Sequence, residues 1–407
     1  MILMRARRPN SPSRNLAGAI AGAAMLALAT TPALGQPAVS SPHAILIDTK
    51  TGSILFEKKP DEPLHPASMA KLMTLAVVFR ELRSGKITLD TEYVVSPHAW
   101  RTGGAPSSGS KMFAALRSRI RVEDLIIGTA VVSGNDAYIV LAEGIAGSEQ
   151  AFAARMNAHA RELDLTTARF RNPTGIHHHE QVISTRDLGK LATHLIRTYP
   201  DYYKYFKIPE LTWSKVRQTN RNPLLDIGIG ADGLKTGYVK ESGYGIVGSA
   251  EQGGQRLIVV IHGARTEKER VDDAKRLLEW GFKGFGERLL FSANMPVVYA
   301  KVFGGTSGTV PLVGTRDINL LAQQGSNERL IARVYYDGPL RAPVRRGAEV
   351  AKLRVYRGAQ MVLETPLYTG DSVAEGGLFG RAFDAASEFA GGLVRSAFRK
   401  VFSGSAS

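Results

Sequence analysis

The chain has 407 residues, of which 44% are hydrophobic and 22% charged, enough for a sizeable core and for more than one domain. Lys and Arg total 52 against 37 acidic residues, a net charge of +15, so an acidic tail protein is excluded, as are a disordered chain and a collagen-like repeat. The chain contains no Cys, which excludes disulfides, thiolate nucleophiles, Fe–S clusters and Cys-bound zinc. Taken in chain order, residues 1–35 carry Arg5, Arg7, Arg8 and Arg14 and no acid, then an apolar run from Leu16 to Ala29, then Ala33-Leu34-Gly35. Basic, apolar and small-residue regions in that order predict a secretory signal peptide cleaved near Gln36. The apolar run is short and rich in Ala and Gly, too weak for a permanent span. Cleavage removes four arginines and leaves about +11.

Ala44 to Asp48 and Ser53 to Glu57 read as a hairpin around Thr49-Lys50-Thr51-Gly52. Ser68 to Arg83 reads as a helix that is apolar nearly all round in its first half, hence buried. Residues 96–110 are rich in Ser, Gly and Pro and read as a loop. Val122 to Val132 reads as a helix ending at Ser133-Gly134-Asn135-Asp136, and Glu149 to Glu162 and Thr185 to Arg197 as further helices. A Gly-punctuated stretch, Asp226 to Gly237, leads into strands at Tyr244–Ser249 and Arg256–His262, and Val271 to Phe285 closes this part as an amphipathic helix. Beyond about residue 286, short alternating segments (Val297–Phe303, Arg329–Tyr336, Glu349–Tyr356) separated by Gly/Pro turns predict a small all-β domain, with Pro339 to Gly347 as a turn. Leu378 to Phe402 segregates Phe379, Phe383, Leu393 and Val401 from Arg381, Glu388, Arg395 and Arg399. This is expected to be an in-plane membrane anchor, or else a helix docked on its own protein. The expected domains are therefore 1–35, 36–285, 286–375 and 376–407.

With Cys absent, a covalent nucleophile falls to Ser, Thr or Lys. In Pro66-Ala67-Ser68-Met69-Ala70-Lys71 the i,i+3 spacing puts a hydroxyl and an amine on one helix face. The helix N-terminus favours a developing oxyanion, and an apolar surround lowers the lysine pKa towards that of a usable base. For the pair alone, the plain alternative is an N-cap Ser and a surface Lys. In Ser133-Gly134-Asn135 the hydroxyl is suited to relay a proton and the amide to hold a substrate amide; the plain alternative is a helix C-cap. In Lys235-Thr236-Gly237 the lysine supplies positive potential, the threonine a donor to a carboxylate, and the glycine room for a backbone; the plain alternative is a turn.

Ser-x-x-Lys, Ser-x-Asn and Lys-Thr-Gly in this order resemble the triplet of penicillin-binding proteins and serine β-lactamases. Thr51-Gly52, Pro66 to Thr74, Ser133 to Ala137, Asn172-Pro173-x-Gly175, Asp232 to Tyr238 and Trp280-Gly281-Phe282 look like the low-molecular-mass D-alanyl-D-alanine carboxypeptidases over roughly residues 40–285. The resemblance implies an α+β chain: a β-lactamase/transpeptidase-like catalytic domain, an antiparallel sheet with helices on both sides, then the small all-β domain and the C-terminal amphipathic helix. It implies a serine peptidase that removes the terminal D-alanine from peptidoglycan pentapeptides and is acylated by β-lactams. Ser68 would be the nucleophile, Lys71 its base, Ser133 the relay with Asn135 beside it, and Lys235, Thr236 and Gly237 the substrate strand. Arg270 would help hold the carboxylate, and the backbone N–H groups of Ser68 and Tyr238 would form the oxyanion hole. Val239 stands where many relatives carry Thr, so a hydroxyl near the carboxylate subsite is lost.

A β-lactamase and a D,D-endopeptidase share this chemistry, and a non-catalytic wall-binding module is a further reading. No cofactor, metal or nucleic acid is expected. His177-His178-His179 lacks the i,i+4 spacing of metal-binding helices and reads as a surface loop. The expected location is the periplasm, at the outer face of the cytoplasmic membrane, where basic charge suits anionic lipid and acidic wall groups.

Overall fold

The computed structural model describes residues 35–324 and 329–377. The expected signal peptide and C-terminal amphipathic helix lie outside the described residues. The chain divides into two compact units, the larger running to residue 285 apart from residues 51–53, the smaller beginning at residue 286.

In the larger unit β1 (His43–Asp48) and β2 (Ile54–Lys58) form the predicted hairpin, and α1 (Lys71–Arg83) follows. Next come β3 (Glu92–Val94), α2 (Pro97–Gly103), β4 (Arg119–Arg121), α3 (Val122–Val132), α4 (Asn135–Ala146), α5 (Glu149–Glu162) and α6 (Thr185–Thr198). After α7 (Pro200–Tyr203), β5 (Glu210–Trp213) and β6 (Val216–Thr219), three long strands β7 (Ala231–Val239), β8 (Gly243–Gln252) and β9 (Gln255–Ala264) lead into α8 (Glu267–Gly284). The main sheet has the order β2-β1-β9-β8-β7 and is antiparallel throughout.

Both faces of this sheet are covered, which explains why β1 is apolar without alternation. Odd residues Ile45 and Ile47 meet α6 at Gly189, whereas Leu46 meets α8 at Gly281. All of Ala44 to Ile47 are buried in consequence. Helix α1 is surrounded on every side from Lys71 to Phe79, with Leu72, Met73, Leu75, Ala76, Val78 and Phe79 fully buried, as its unbroken apolar run requires. Strand β7 is anchored by a bidentate pair, in which Arg256 of β9 donates to both Asp232 oxygens at 2.8 Å and Tyr203 Oη donates to the same carboxylate at 2.7 Å.

Two elements correct the sequence reading. The stretch 96–110 is not wholly loop: Ser96 Oγ accepts from Ala99 N and Pro97 occupies the first turn, so α2 forms there. Helix α1 starts at Lys71, and Ser68 sits in a separate 3₁₀ turn, Ala67–Ala70, just before it.

In the smaller unit β10 (Phe285–Phe291) pairs with β13 (Ile318–Gln323). A six-stranded sheet contains β11 (Pro296–Phe303), β12 (Thr309–Val313), β14 (Leu330–Tyr336), β15 (Leu340–Arg341), β16 (Glu349–Arg357) and β17 (Gln360–Thr369), in the order β14-β16-β17-β12-β11-β15. Ala300, Val310, Leu312, Leu320, Leu353, Val362 and Leu367 form its fully buried centre. No helix among the described residues is long and apolar enough to cross a membrane.

Candidate active site

The nucleophile candidate is held by a turn, not by a helix cap. Pro66 precedes the 3₁₀ turn with no side-chain capping bond, and Ala67 is left-handed at φ 48°. The Ser68 hydroxyl is therefore not used as a cap, and the residue is half-buried. One turn on, Lys71 is 1% exposed, so it is no surface lysine. Its Nζ lies 3.1 Å from Ser68 Oγ, 2.9 Å from both Ser133 Oγ and the Ser133 carbonyl oxygen, and 2.7 Å from Asn135 Oδ1. Burial, reinforced by the nearby positive charge of Lys235, holds its pKa well below the ordinary 10.5, against an opposing pull from Asp136.

Ser133 does occupy the C-cap of α3, in the left-handed conformation at φ 61°. That turn breaks α3 from α4 and brings Ser133 and Asn135 together on the Lys71 amine. Spacing alone did not single out two neighbours that shape this cluster. The Asp136 carboxylate accepts from the backbone N–H groups of Met112 (2.9 Å), Ala114 (3.0 Å) and Ala137 (3.0 Å), tying the 110–114 segment to the start of α4. Tyr138, fully buried, sets its ring face 5.0 Å from Lys71 Nζ. A ring face favours the ammonium form. Replacing Tyr138 by Leu is expected to lower the Lys71 pKa further and move the acid limb of acylation by about half a pH unit or more towards lower pH. Tyr138→Phe keeps the ring and should leave that limb in place, as stopped-flow acylation across pH will register.

Lys235, Thr236 and Gly237 lie within β7, the edge strand, and not in a turn. A Cβ on Gly237 would stand 2.9 Å from the Pro66 carbonyl oxygen and 3.2 Å from Ala67 Cβ, so only glycine lets this strand press against the nucleophile turn. Lys235 is buried, and its amine donates to the Thr236 carbonyl at 3.0 Å. Burial, then the charges of Arg221 and Arg270, pull its pKa down to about 7. Arg221 is a cation the sequence reading did not single out; Thr236 Oγ1 donates to its carbonyl at 3.4 Å. Arg270 is 6% exposed, in the first turn of α8, with its guanidinium 5.8 Å from the Tyr244 ring and its Nε unpartnered. Tyr244 in turn packs against the exposed Tyr238, with ring centroids 4.3 Å apart. Edge strand β7 and three neighbouring cations, Lys235, Arg221 and Arg270, thus come together, an arrangement suited to an extended peptide ending in a carboxylate.

The histidine triplet lies in the loop that follows Gly175. His177 packs edge-on to His65 at 4.8 Å, and His178 stacks on His179 at 4.7 Å. His178, His179 and Glu180 place ligand atoms within 4.8 Å of one another, but Arg171 holds Glu180 at 3.0 Å and His178 Nδ1 accepts from the Glu180 N–H.

Residues 30–266 match the family described as D-alanyl-D-alanine carboxypeptidase. The chain belongs to that family. Residues 285–375 match the C-terminal domain of penicillin-binding protein 5. The D-alanyl-D-alanine carboxypeptidase DacC of Escherichia coli strain K12 is 35% identical over 378 residues, covering 91% of this chain and 94% of the relative. Penicillin-binding protein 5 from Haemophilus influenzae superposes with a TM-score of 0.69 at 33% identity, covering 84% of this chain and all (100%) of that one. Penicillin-binding protein D2 from Listeria monocytogenes, solved in its cefotaxime-bound form, gives a TM-score of 0.55 at 29% identity and covers 61% of this chain and 100% of its own. As a D-alanyl-D-alanine carboxypeptidase family member, the chain is a serine peptidase with the penicillin-binding-protein fold.

Proposed function

We propose that this carboxypeptidase removes the terminal D-alanine from peptidoglycan pentapeptides through an acyl-enzyme on Ser68. The observation that carries the reading is the buried Lys71 amine, shared by Ser68, Ser133 and Asn135 at 2.7–3.1 Å. A neutral amine has two hydrogens and one lone pair. The two pure acceptors, the Ser133 carbonyl and Asn135 Oδ1, take the hydrogens, which leaves the lone pair for a serine hydroxyl. Lys71 then takes the Ser68 proton as Oγ attacks the D-Ala–D-Ala carbonyl. The oxyanion forms against the backbone N–H groups of Ser68 and Tyr238, at the N-terminal end of α1. Ser133 Oγ passes the proton to the departing D-alanine, whose carboxylate is held by Lys235, Thr236 and Arg270. Water then cleaves the ester.

A β-lactam presents an amide and a carboxylate in the same relation and should acylate Ser68 and leave slowly. Among the described residues no glutamate reaches the Lys71 cluster, which favours the carboxypeptidase over a β-lactamase with a dedicated deacylating acid. The test is mass spectrometry of the intact protein after penicillin, with mapping of the adduct, beside an assay for free D-alanine. One persistent adduct on Ser68 and D-alanine release, both absent in Ser68→Ala, are expected. Rapid loss of the adduct would point to a β-lactamase, and release of crosslinked peptide ends to an endopeptidase.

Export by residues 1–35 to the periplasm and attachment to the membrane by residues 378–402 complete the proposal. It is supported by the order of basic, apolar and small residues in the first segment and by the amphipathic pattern of the second. A chain truncated before Leu378 should no longer pellet with membranes.

A further inference from the structure

We propose that the exposed face of the β14–β16 pair is a docking surface for carboxylates of the glycopeptide polymer whose peptide ends this enzyme trims. The inference rests on the peptidase reading for the identity of that polymer. The antiparallel register sets Ile331 opposite Tyr356, Arg333 opposite Arg354 and Tyr335 opposite Lys352, so these six side chains share one face. Two arginines directly across an antiparallel pair repel one another and weaken the sheet. Here they are fixed in place by a crossed arrangement. The Arg333 guanidinium lies 5.3 Å from the Tyr356 ring, Arg354 lies 4.8 Å from the Tyr335 ring, and the two tyrosine hydroxyls are 3.3 Å apart.

The two arginines of this face are unequally paired among the described residues. Glu364 of β17 accepts from Arg354 Nε at 2.6 Å and lies 3.8 Å from Lys352 Nζ. Arg354 is thus paired with a carboxylate, whereas Arg333 has no carboxylate partner among the described residues. Arg333, Tyr335 and Ile331 are exposed, the last two at 41% and 38%. A stacked guanidinium is held planar and pre-oriented for a bidentate oxyanion. An anion seated between Arg333 and Arg354 relieves their repulsion, while the ring edges and Ile331 meet the uncharged parts of the ligand. A polymer with repeated peptide carboxylates offers this one site many equivalent ligands.

The test uses the full chain with its active site blocked by penicillin, sedimented with insoluble peptidoglycan and, separately, with vesicles of anionic phospholipid. Arg333→Glu is expected to reduce the peptidoglycan-bound fraction about three- to tenfold at low salt, Arg333→Gln less. Hydrolysis of a soluble peptide ending in D-Ala–D-Ala should be unchanged in both, and an unchanged thermal melt certifies the fold. Equal sedimentation of wild type and Arg333→Glu overturns the proposal, as does a loss confined to the lipid vesicles. Absent hydrolysis of the soluble peptide by the wild type, with Arg333-dependent sedimentation intact, would strike the peptidase reading and leave the docking surface standing.

Discussion

Acylation by penicillin should fall by roughly 10³-fold or more when Lys71 is replaced by alanine, because the variant removes the only base within reach of Ser68 Oγ among the described residues. The wild-type rate is expected to rise with pH as Lys71 loses its proton, and to level off well before the range in which a solvated lysine titrates. Two neighbours should move that rise in opposite directions. The Lys235 charge disfavours the Lys71 ammonium, so Lys235→Ala raises the Lys71 pKa and shifts the limb to higher pH. Asp136 favours the ammonium, so Asp136→Asn shifts it to lower pH. Asp136→Asn should also destabilise the fold by about 2–4 kcal/mol, since three backbone donors lose a carboxylate. The alkaline side belongs to Lys235: as pH climbs through about 7 it loses the charge we propose to meet the substrate carboxylate, and kcat/KM should decline. Stability runs the other way. Lys235 titrates at about 7 when folded and near 10.5 when unfolded, so the unfolded chain binds the extra proton between those values. Folding is therefore favoured increasingly as pH rises across that window, which urea midpoints at several pH values will measure.

Gly175→Ala should be the most damaging small change outside the catalytic cluster. Gly175 has φ 76°, and a Cβ there would lie 2.0 Å from the Ala67 carbonyl oxygen and 3.1 Å from Ser68 Cα. The obstacle is backbone, so either the 172–175 loop or the nucleophile turn must move. A loss of about 2–4 kcal/mol of stability is expected, with a slower acylation rate in whatever remains folded. Gly147→Ala supplies the control. It has φ 81° but open space around the added carbon, so only the left-handed backbone is penalised, by about 1–2 kcal/mol, and acylation should be unaffected. Denaturant midpoints together with acylation rates separate the two effects.

These cases also mark what the sequence could convey. Ser68 and Lys71 were legible because i,i+3 spacing on a helical path needs no tertiary information, and the apolar run after them announced burial. The wrapping of α1 and the two-sided burial of β1 follow from the same unbroken hydrophobicity. Asp136 and Tyr138 were silent because their roles arise from what packs against α4, including a segment 22–24 residues upstream. Gly175 belonged to a recognisable Asn-Pro-x-Gly, yet its contact with Ala67 spans more than a hundred positions and leaves no local trace. Strand β7 was obscured by Gly233 and Gly237, residues that weaken a strand pattern while permitting close approach. Helix α2 was legible in principle: Ser96 followed by Pro97 is a helix start, outweighed by the Gly and Ser residues after it. In the smaller unit, β12 and β17 escaped because each is interrupted by a proline, Pro311 and Pro366, and β13 because Ile-Asn-Leu-Leu-Ala-Gln does not alternate.

The left-handed backbone at Ser133 limits which side chains can stand there. Glycine would relax the main chain but has no hydroxyl; threonine keeps the hydroxyl but its branched Cβ resists that conformation; asparagine tolerates it but offers an amide in place of an O–H. Saturation mutagenesis at codon 133, sorted for growth dependent on this enzyme, should therefore return serine almost alone, whereas a scan for soluble expression should enrich glycine and asparagine.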